Sequence, residues 1–300
     1  MTVSNSTSPS SVRLTGIILV AVATLMWASG GLFTRLLPYD LWTIVFWRGV
    51  FACLFIGLYM LFRFGWETWA ALTGGGVSGA LVALLSAATI ILFPAAFQHT
   101  SVANAFTIVT ALPFVTAAIA WVWLRERPPF ATMLASAIAM IGIVVMLGPT
   151  TVGPRLGDLL ALLGVMCQAL MTVIIRRNPA VRMLPMAWVA VVLSVLVSLP
   201  LAQHLWDLRA QDYLVAAGFG LGPMTLGPMT LGMMLYVIGS AMIPSTLTAL
   251  INTMEAPLGA LWAWAGVGEV PAVETLIGGG IVLASVFGRL LQERKPGHED

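Results

Sequence analysis

Ten apolar runs, each close to the ~20 residues that a helix needs to cross a bilayer, divide this 300-residue chain from end to end. They are residues 14–34, 41–62, 72–97, 101–123, 130–148, 156–175, 183–202, 212–239, 242–266 and 272–291. The connections are short and hold nearly all the charge, as in Arg35 to Asp40, Arg63 to Glu67, Arg125 to Arg127, Arg155 to Asp158, Arg176 to Arg182 and Asp207 to Asp212. Backbone polar groups in hydrocarbon must be satisfied within a helix or within a closed barrel. No strand-length alternation punctuated by turn residues suggests a barrel. The runs are therefore predicted as helices, and the fold as an all-α membrane protein with ten transmembrane helices.

Composition agrees. The chain is 59% hydrophobic and 9% charged, with mean hydropathy +0.97, whereas about a quarter of a soluble domain's residues are charged. The lipid bilayer is its main solvent. A net charge of +2 and the lack of a basic, aromatic-interleaved patch exclude nucleic acid as a partner. Cys53 and Cys167 lie inside apolar runs and read as small buried hydrophobes. The first run continues to Phe33 and nine comparable runs follow, so it reads as a first span and not as a signal peptide. Residues 1–13 and 292–300 are expected to be cytoplasmic tails, the first of them disordered.

Orientation follows from the basic residues. With the N-terminus inside, the inner side holds Arg13, Arg63, Arg125, Arg127, Arg176, Arg177, Arg182, Arg289, Arg294 and Lys295, against Arg35, Arg155 and Arg209 outside. Both termini are thus placed in the cytoplasm.

The fourth and ninth runs resemble each other. Residues 245–269, STLTALINTMEAPLGALWAWAGVGE, align with 101–126, SVANAFTIVTALPFVTAAIAWVWLRE, with one gap. Ser245 falls on Ser101, Ala249 on Ala105, Pro257 on Pro113, Ala263 on Ala120, Trp264 on Trp121 and Glu269 on Glu126. The repeat divides the chain into five-helix units at 14–149 and 150–291. The first unit starts inside and the second outside, so they are inverted, an arrangement that builds a midplane site reachable alternately from either side.

These residues resemble the drug/metabolite transporter superfamily, EamA type. The similarity is carried by MWASGGLFTR (26–35), FWRGVFA (46–52), MEAPLGALWAWAGVGE (254–269) and the proline-to-glutamate spacing of runs 4 and 9. Within it the chain is most similar to YddG-type exporters. That resemblance implies a bacterial inner-membrane carrier, working as a monomer, that exports aromatic and other neutral amino acids or related small metabolites. It implies no cofactor and no enzymatic activity.

Candidate contacts come from polar residues inside the runs. Intramembrane charge is costly and points to function, which singles out Arg48 and Glu255. Glu255 stands two residues before Pro257 and its counterpart in the first half is Ala111, so the carboxylate breaks the pseudo-symmetry. Thr248, Asn252 and Glu255 follow helical spacing and are predicted to share one face, as are Asn104 and Thr107. Ser29, Gln168 and Tyr236 are further candidates, with Trp27 and Trp264 as aromatic walls. Glu255 and Asn252 offer acceptors for an ammonium; Arg48 and Asn104 offer donors for a carboxylate. Arg48 is equally suited to reaching the outer interface or pairing with a carboxylate. The terminal Glu126 and Glu269 oppose their helix dipoles and are expected to pair with arginines or cap a neighbouring helix. His99, His204 and His298 lie in separate segments, so no metal site is expected.

Without a cationic cluster, phosphorylated substrates are disfavoured. The alternatives are a proton-coupled exporter of drugs or cationic compounds using Glu255, or, in a different class, an intramembrane enzyme or a non-transporting scaffold. Hinges are expected at Gly30–Gly31, Gly74–Gly76 and the in-run prolines. The tandem GPMTL-GPMTL at 222–231 turns a helix by about 140° beyond a full turn, so the eighth helix is predicted to be irregular between about 220 and 233.

Overall fold

The computed structural model describes residues 9–65, 75–125, 156–178, 183–221, 251–252 and 254–293, with individual residues between 134 and 145 and between 235 and 243. The described elements are helical: α1 (Pro9–Ala28), α2 (Gly30–Leu36), α3 (Leu41–Phe64), α4 (Gly76–His99), α5 (Val102–Val109), α6 (Leu112–Leu124), α7 (Leu156–Arg177), α8 (Met183–Ser198), α9 (Ala210–Leu221), α10 (Glu255–Val267) and α11 (Val273–Glu293). Five stretches are long and apolar enough to cross a membrane: Leu14–Leu36, Leu41–Phe62, Gly76–His99, Val102–Trp123 and Leu156–Ile175. Leu184–Ser198 and Val273–Ser285 are apolar but shorter. By these lengths the chain is a multi-pass membrane protein.

Helix starts follow local chemistry. Asp40 caps α3 by accepting from Thr43 N at 3.1 Å and from Thr43 Oγ1 at 2.6 Å. Ser101 caps α5 by accepting from Asn104 N at 3.1 Å. Each oxygen satisfies an N–H that has no partner within its helix.

Three runs carry a short tightened turn whose residues keep helical dihedrals. Run 1 divides at Ser29, just before Gly30–Gly31. Run 4 divides at Thr110–Ala111, before Pro113. Run 9 divides before α10, which opens two residues ahead of Pro257. A proline has no N–H to bond the carbonyl four residues back, so the preceding turn tightens. Thr110 N bonds Thr107 O at 3.1 Å, and at the aligned position Met254 N bonds Ile251 O at 3.0 Å. Both helices beyond these turns have 13 residues. Both end in a left-handed cap, at Arg125 (φ 56°) and at the aligned Gly268 (φ 70°).

The most extensive packing joins helices before residue 150 to helices after it. α4 lies against α7 and α8, α3 against α8 and α9, and α5 against α10 and α11. The principal core gathers Ile44, Phe93, Phe97, Phe106, Phe114 and Phe219. Large apolar side chains such as Phe62, Val77, Val122 and Leu214 point outward, where lipid receives them. Small residues set the closest approaches. A Cβ on Gly157 of α7 would stand 2.4 Å from Thr100 N and 2.6 Å from His99 C.

Gly157→Ala therefore drives a methyl into backbone that cannot yield, and is expected to cost about 1–3 kcal/mol. Gly280→Ala, whose Cβ meets nothing within 4 Å, is expected to be neutral or to stabilise by up to about 1 kcal/mol. Thermal melts of the two variants in one detergent check the contrast.

Candidate functional site

One end of the helix bundle is tied together by polar contacts. Arg35, in the last turn of α2, places Nε 3.1 Å from Glu269 Oε2 and donates from Nη2 to Thr100 O at 2.9 Å. Glu269 follows the left-handed Gly268, which ends α10 and turns the chain back. Its Oε1 accepts from Val102 N, the first residue of α5, at 2.6 Å. A carboxylate at a helix N-terminus is electrostatically favoured, so the group that would weaken its own helix end serves another. Of the two roles expected for Glu269, ion pair and cap, the structure shows both.

Neighbouring contacts extend this network. Thr100 Oγ1 donates to Asp158 Oδ1 of α7 at 2.5 Å. Gln98 Nε2 donates to Tyr39 O at 3.2 Å, and Tyr39 OH donates to Asp212 Oδ2 of α9 at 2.6 Å. That hydrogen bond holds the Tyr39 proton, so its pKa is raised above the ordinary phenol value. Arg209 Nε bonds the same carboxylate oxygen at 3.1 Å. Trp47 Nε1 donates to Leu205 O at 2.9 Å. An open cleft of about 530 Å³ remains, lined by Arg35, Gln98, His99, Thr100, Ser101, Val267 and Glu269.

Deeper in the bundle the predicted polar residues separate. Asn104 is buried on α5, and its Oδ1 accepts from Thr275 Oγ1 of α11. Asn252 is bound to α1: Thr24 Oγ1 shares its hydrogen between Val20 O at 2.9 Å and Asn252 Oδ1 at 3.1 Å. Thr107 and Ser29 turn their hydroxyls back to Ala103 O and Met26 O. Trp27 on α1 and Gln168 on α7 are half-buried. Trp264 is 56% exposed. Thr248, Tyr236, Glu126 and the GPMTL tandem lie outside the described residues.

Asn252 and Glu255 flank a tightened turn, in which Met254 N bonds Ile251 O at 3.0 Å and Met254 keeps helical dihedrals. Glu255 opens α10, and Asn252 lies just before the turn. A turn closed by an i→i+3 bond keeps residues three apart on the same side. Glu255 stands in the first turn of α10, where the helix dipole favours a carboxylate. It makes no hydrogen bond or ion pair among the described residues. The partners Thr24 and Thr275 escaped the sequence reading. Thr24 was signalled only by being the one polar side chain between Gly16 and Trp27.

Arg48 is fully buried. It neither reaches the interface nor meets a carboxylate among the described residues. Its Nη2 donates to Ile90 O at 2.7 Å, and its guanidinium lies 4.8 Å from the centre of the Phe219 ring. Ile90 stands four residues before Pro94 within α4, so its carbonyl has no helical N–H to accept. The guanidinium supplies the missing donor and rests on an aromatic face that attracts cations. Arg48 Nε and Nη1, with Trp262 Nε1, are buried donors with no acceptor among the described residues.

Comparison with known proteins agrees with this architecture. Residues 14–148 match the EamA-like transporter family. Among the solved structures that match is a crystal structure 20% identical in sequence, superposing with a TM-score of 0.56 over 97% of this chain and 100% of that one; it shares the fold. No curated protein matches the chain.

If Arg48 answers the carbonyl freed by Pro94, the two positions are coupled. An unpaired buried carbonyl costs about 1–3 kcal/mol, so Arg48→Met is expected to be less harmful by about that amount in a Pro94→Ala background, where the introduced alanine supplies the N–H. Unfolding of the four proteins of this cycle measures the coupling, and simple additivity would remove Pro94 from the account.

Proposed function

We propose that the chain is a secondary transporter of the EamA-like, drug/metabolite type that exports amino acids or related small metabolites. In this reading it lies in a bacterial inner membrane with ten spans, and the halves 14–149 and 150–291 are inverted repeats. The family match over 14–148 supports the first half. The shared tightened turns, 13-residue helices and left-handed caps of runs 4 and 9 support the repeat.

One observation carries the reading. Runs 1, 4 and 9 each tighten over one or two residues within the membrane, beneath an outer face joined by Arg35, Glu269, Thr100 and Val102. Irregular turns in spanning helices are tolerated where they line a cavity, and they place freed carbonyls at the depth where carriers bind cargo. A sealed outer face over these turns is one end state of alternating access.

Within this site Glu255 takes the leading role, as acceptor for an ammonium. Thr248, Tyr236, Gln168, Ser29, Trp27 and Thr107 are proposed to line the path. Asn104 and Asn252 hold α5 to α11 and the start of run 9 to α1, so they reach cargo only when those bonds part. Arg48 keeps two donor nitrogens for a carboxylate. Glu255, without an intramembrane partner among the described residues, also suits proton exchange.

Counterflow of labelled leucine or phenylalanine in proteoliposomes tests this function. The expected result is saturable exchange, reduced about tenfold or more by Glu255→Gln, equivalent to at least about 1.4 kcal/mol. An imposed pH gradient separates proton coupling from passive exchange. Exchange unaltered by Glu255→Gln combined with Asn252→Ala would sink the site assignment, and absence of any exchange across a panel of metabolites would sink the carrier.

A further inference from the structure

We infer that the outer cleft is a binding site for a small zwitterion, whose carboxylate pairs with Arg35 and whose ammonium pairs with Glu269, parting the ion pair that closes the outer face. The inference rests on the transport reading and names a second, outer station for its cargo. None of the cleft residues belongs to the midplane set.

The cleft volume of about 530 Å³ falls within the range of roughly 300–1,000 Å³ usual for small-molecule sites. Its wall carries one cation and one anion already in contact, at 3.1 Å, with side-chain exposures of 32% and 19%. Partly exposed pairs of this kind contribute little net stability, so a ligand able to replace both halves can compete with them.

Charge balance selects the ligand. A simple anion at Arg35 would displace Glu269 and leave that carboxylate uncompensated beside it. A simple cation at Glu269 would leave the guanidinium facing only Thr100 O. A molecule carrying both charges a few bonds apart neutralises each group and adds no net charge. Gln98 and His99 on the cleft wall provide further polar contacts for its body.

The same geometry links binding to motion. Glu269 caps α5 through Val102 N, and Arg35 holds the α4–α5 corner through Thr100 O. A zwitterion inserted between them loosens α10 from α5 and α2 together. Occupancy from outside thus favours the open outer face.

The test places one cysteine at Val267, which lines the cleft, in a protein with Cys53 and Cys167 replaced by alanine and reconstituted in nanodiscs. Its labelling by a membrane-impermeant maleimide is timed with leucine, leucine methyl ester or N-acetylleucine present. At about ten times its Kd, leucine is expected to slow labelling about tenfold, because about one molecule in eleven remains free. The ester, a cation, and the acetylated form, an anion, are expected to leave the rate unchanged. Arg35→Gln and Glu269→Gln are each expected to abolish leucine's effect. The unsubstituted cleft with the three ligands decides the matter even if those variants fold poorly. Equal protection by all three compounds, or protection by none, overturns the zwitterion site. Protection lost while counterflow persists leaves the carrier standing; protection retained without counterflow overturns the carrier alone.

Discussion

A helix in hydrocarbon has no water to receive a backbone group that loses its partner, so every interruption must be answered from inside the bundle. That constraint explains the least expected contacts here. Pro94 frees the Ile90 carbonyl, and Arg48 reaches from α3 to fill it. The buried N–H groups at the start of α5 are capped by its own Ser101 and by Glu269 from run 9. The turns before Pro113 and Pro257 tighten and keep part of their ladder. Charged side chains are costly in this setting, and Arg48 and Glu269 are held where a backbone dipole needs them.

These repairs give the molecule two kinds of joint. Small residues and aromatic rings make rigid seams, such as Gly157 on the Thr100 corner and Gly259 against the Phe106 ring. Polar bridges, such as Thr24 to Asn252 and Arg35 to Glu269, join helices through one or two exchangeable bonds. The proposed carrier would use both, since rigid segments must move against one another around a cavity. Here the exchangeable bonds cluster near the tightened turns and at the outer mouth.

Much of the fold could be read from hydropathy, because lipid imposes a length on each span. Predicted runs 41–62 and 156–175 coincide with Leu41–Phe62 and Leu156–Ile175. Glu269 was legible too, since a carboxylate opposing its own dipole needs an outside reason. The specific partners were not. Nothing in residues 41–62 says that Arg48 will lie opposite Ile90, because that depends on how α3 and α4 pair in space. The tightened turn between Asn252 and Glu255 was not foreseen, although Pro257 stands two residues beyond it. At the predicted irregularity of run 8, regular helix α9 ends at Leu221, one residue before the tandem, which lies outside the described residues.

The central claim is that the outer face closed by Arg35 and Glu269 is one of two states. It is tested most directly by the distance distribution between spin labels at Leu36, the end of α2, and Val270, just beyond Glu269, in lipid nanodiscs. Both positions are exposed, 42% and 74%, and labels there leave the ion pair itself intact. The account predicts a short distance for the closed face and a longer population that grows with saturating leucine and with Glu269→Gln. One short distance, unchanged by ligand and by loss of the glutamate charge, would contradict it.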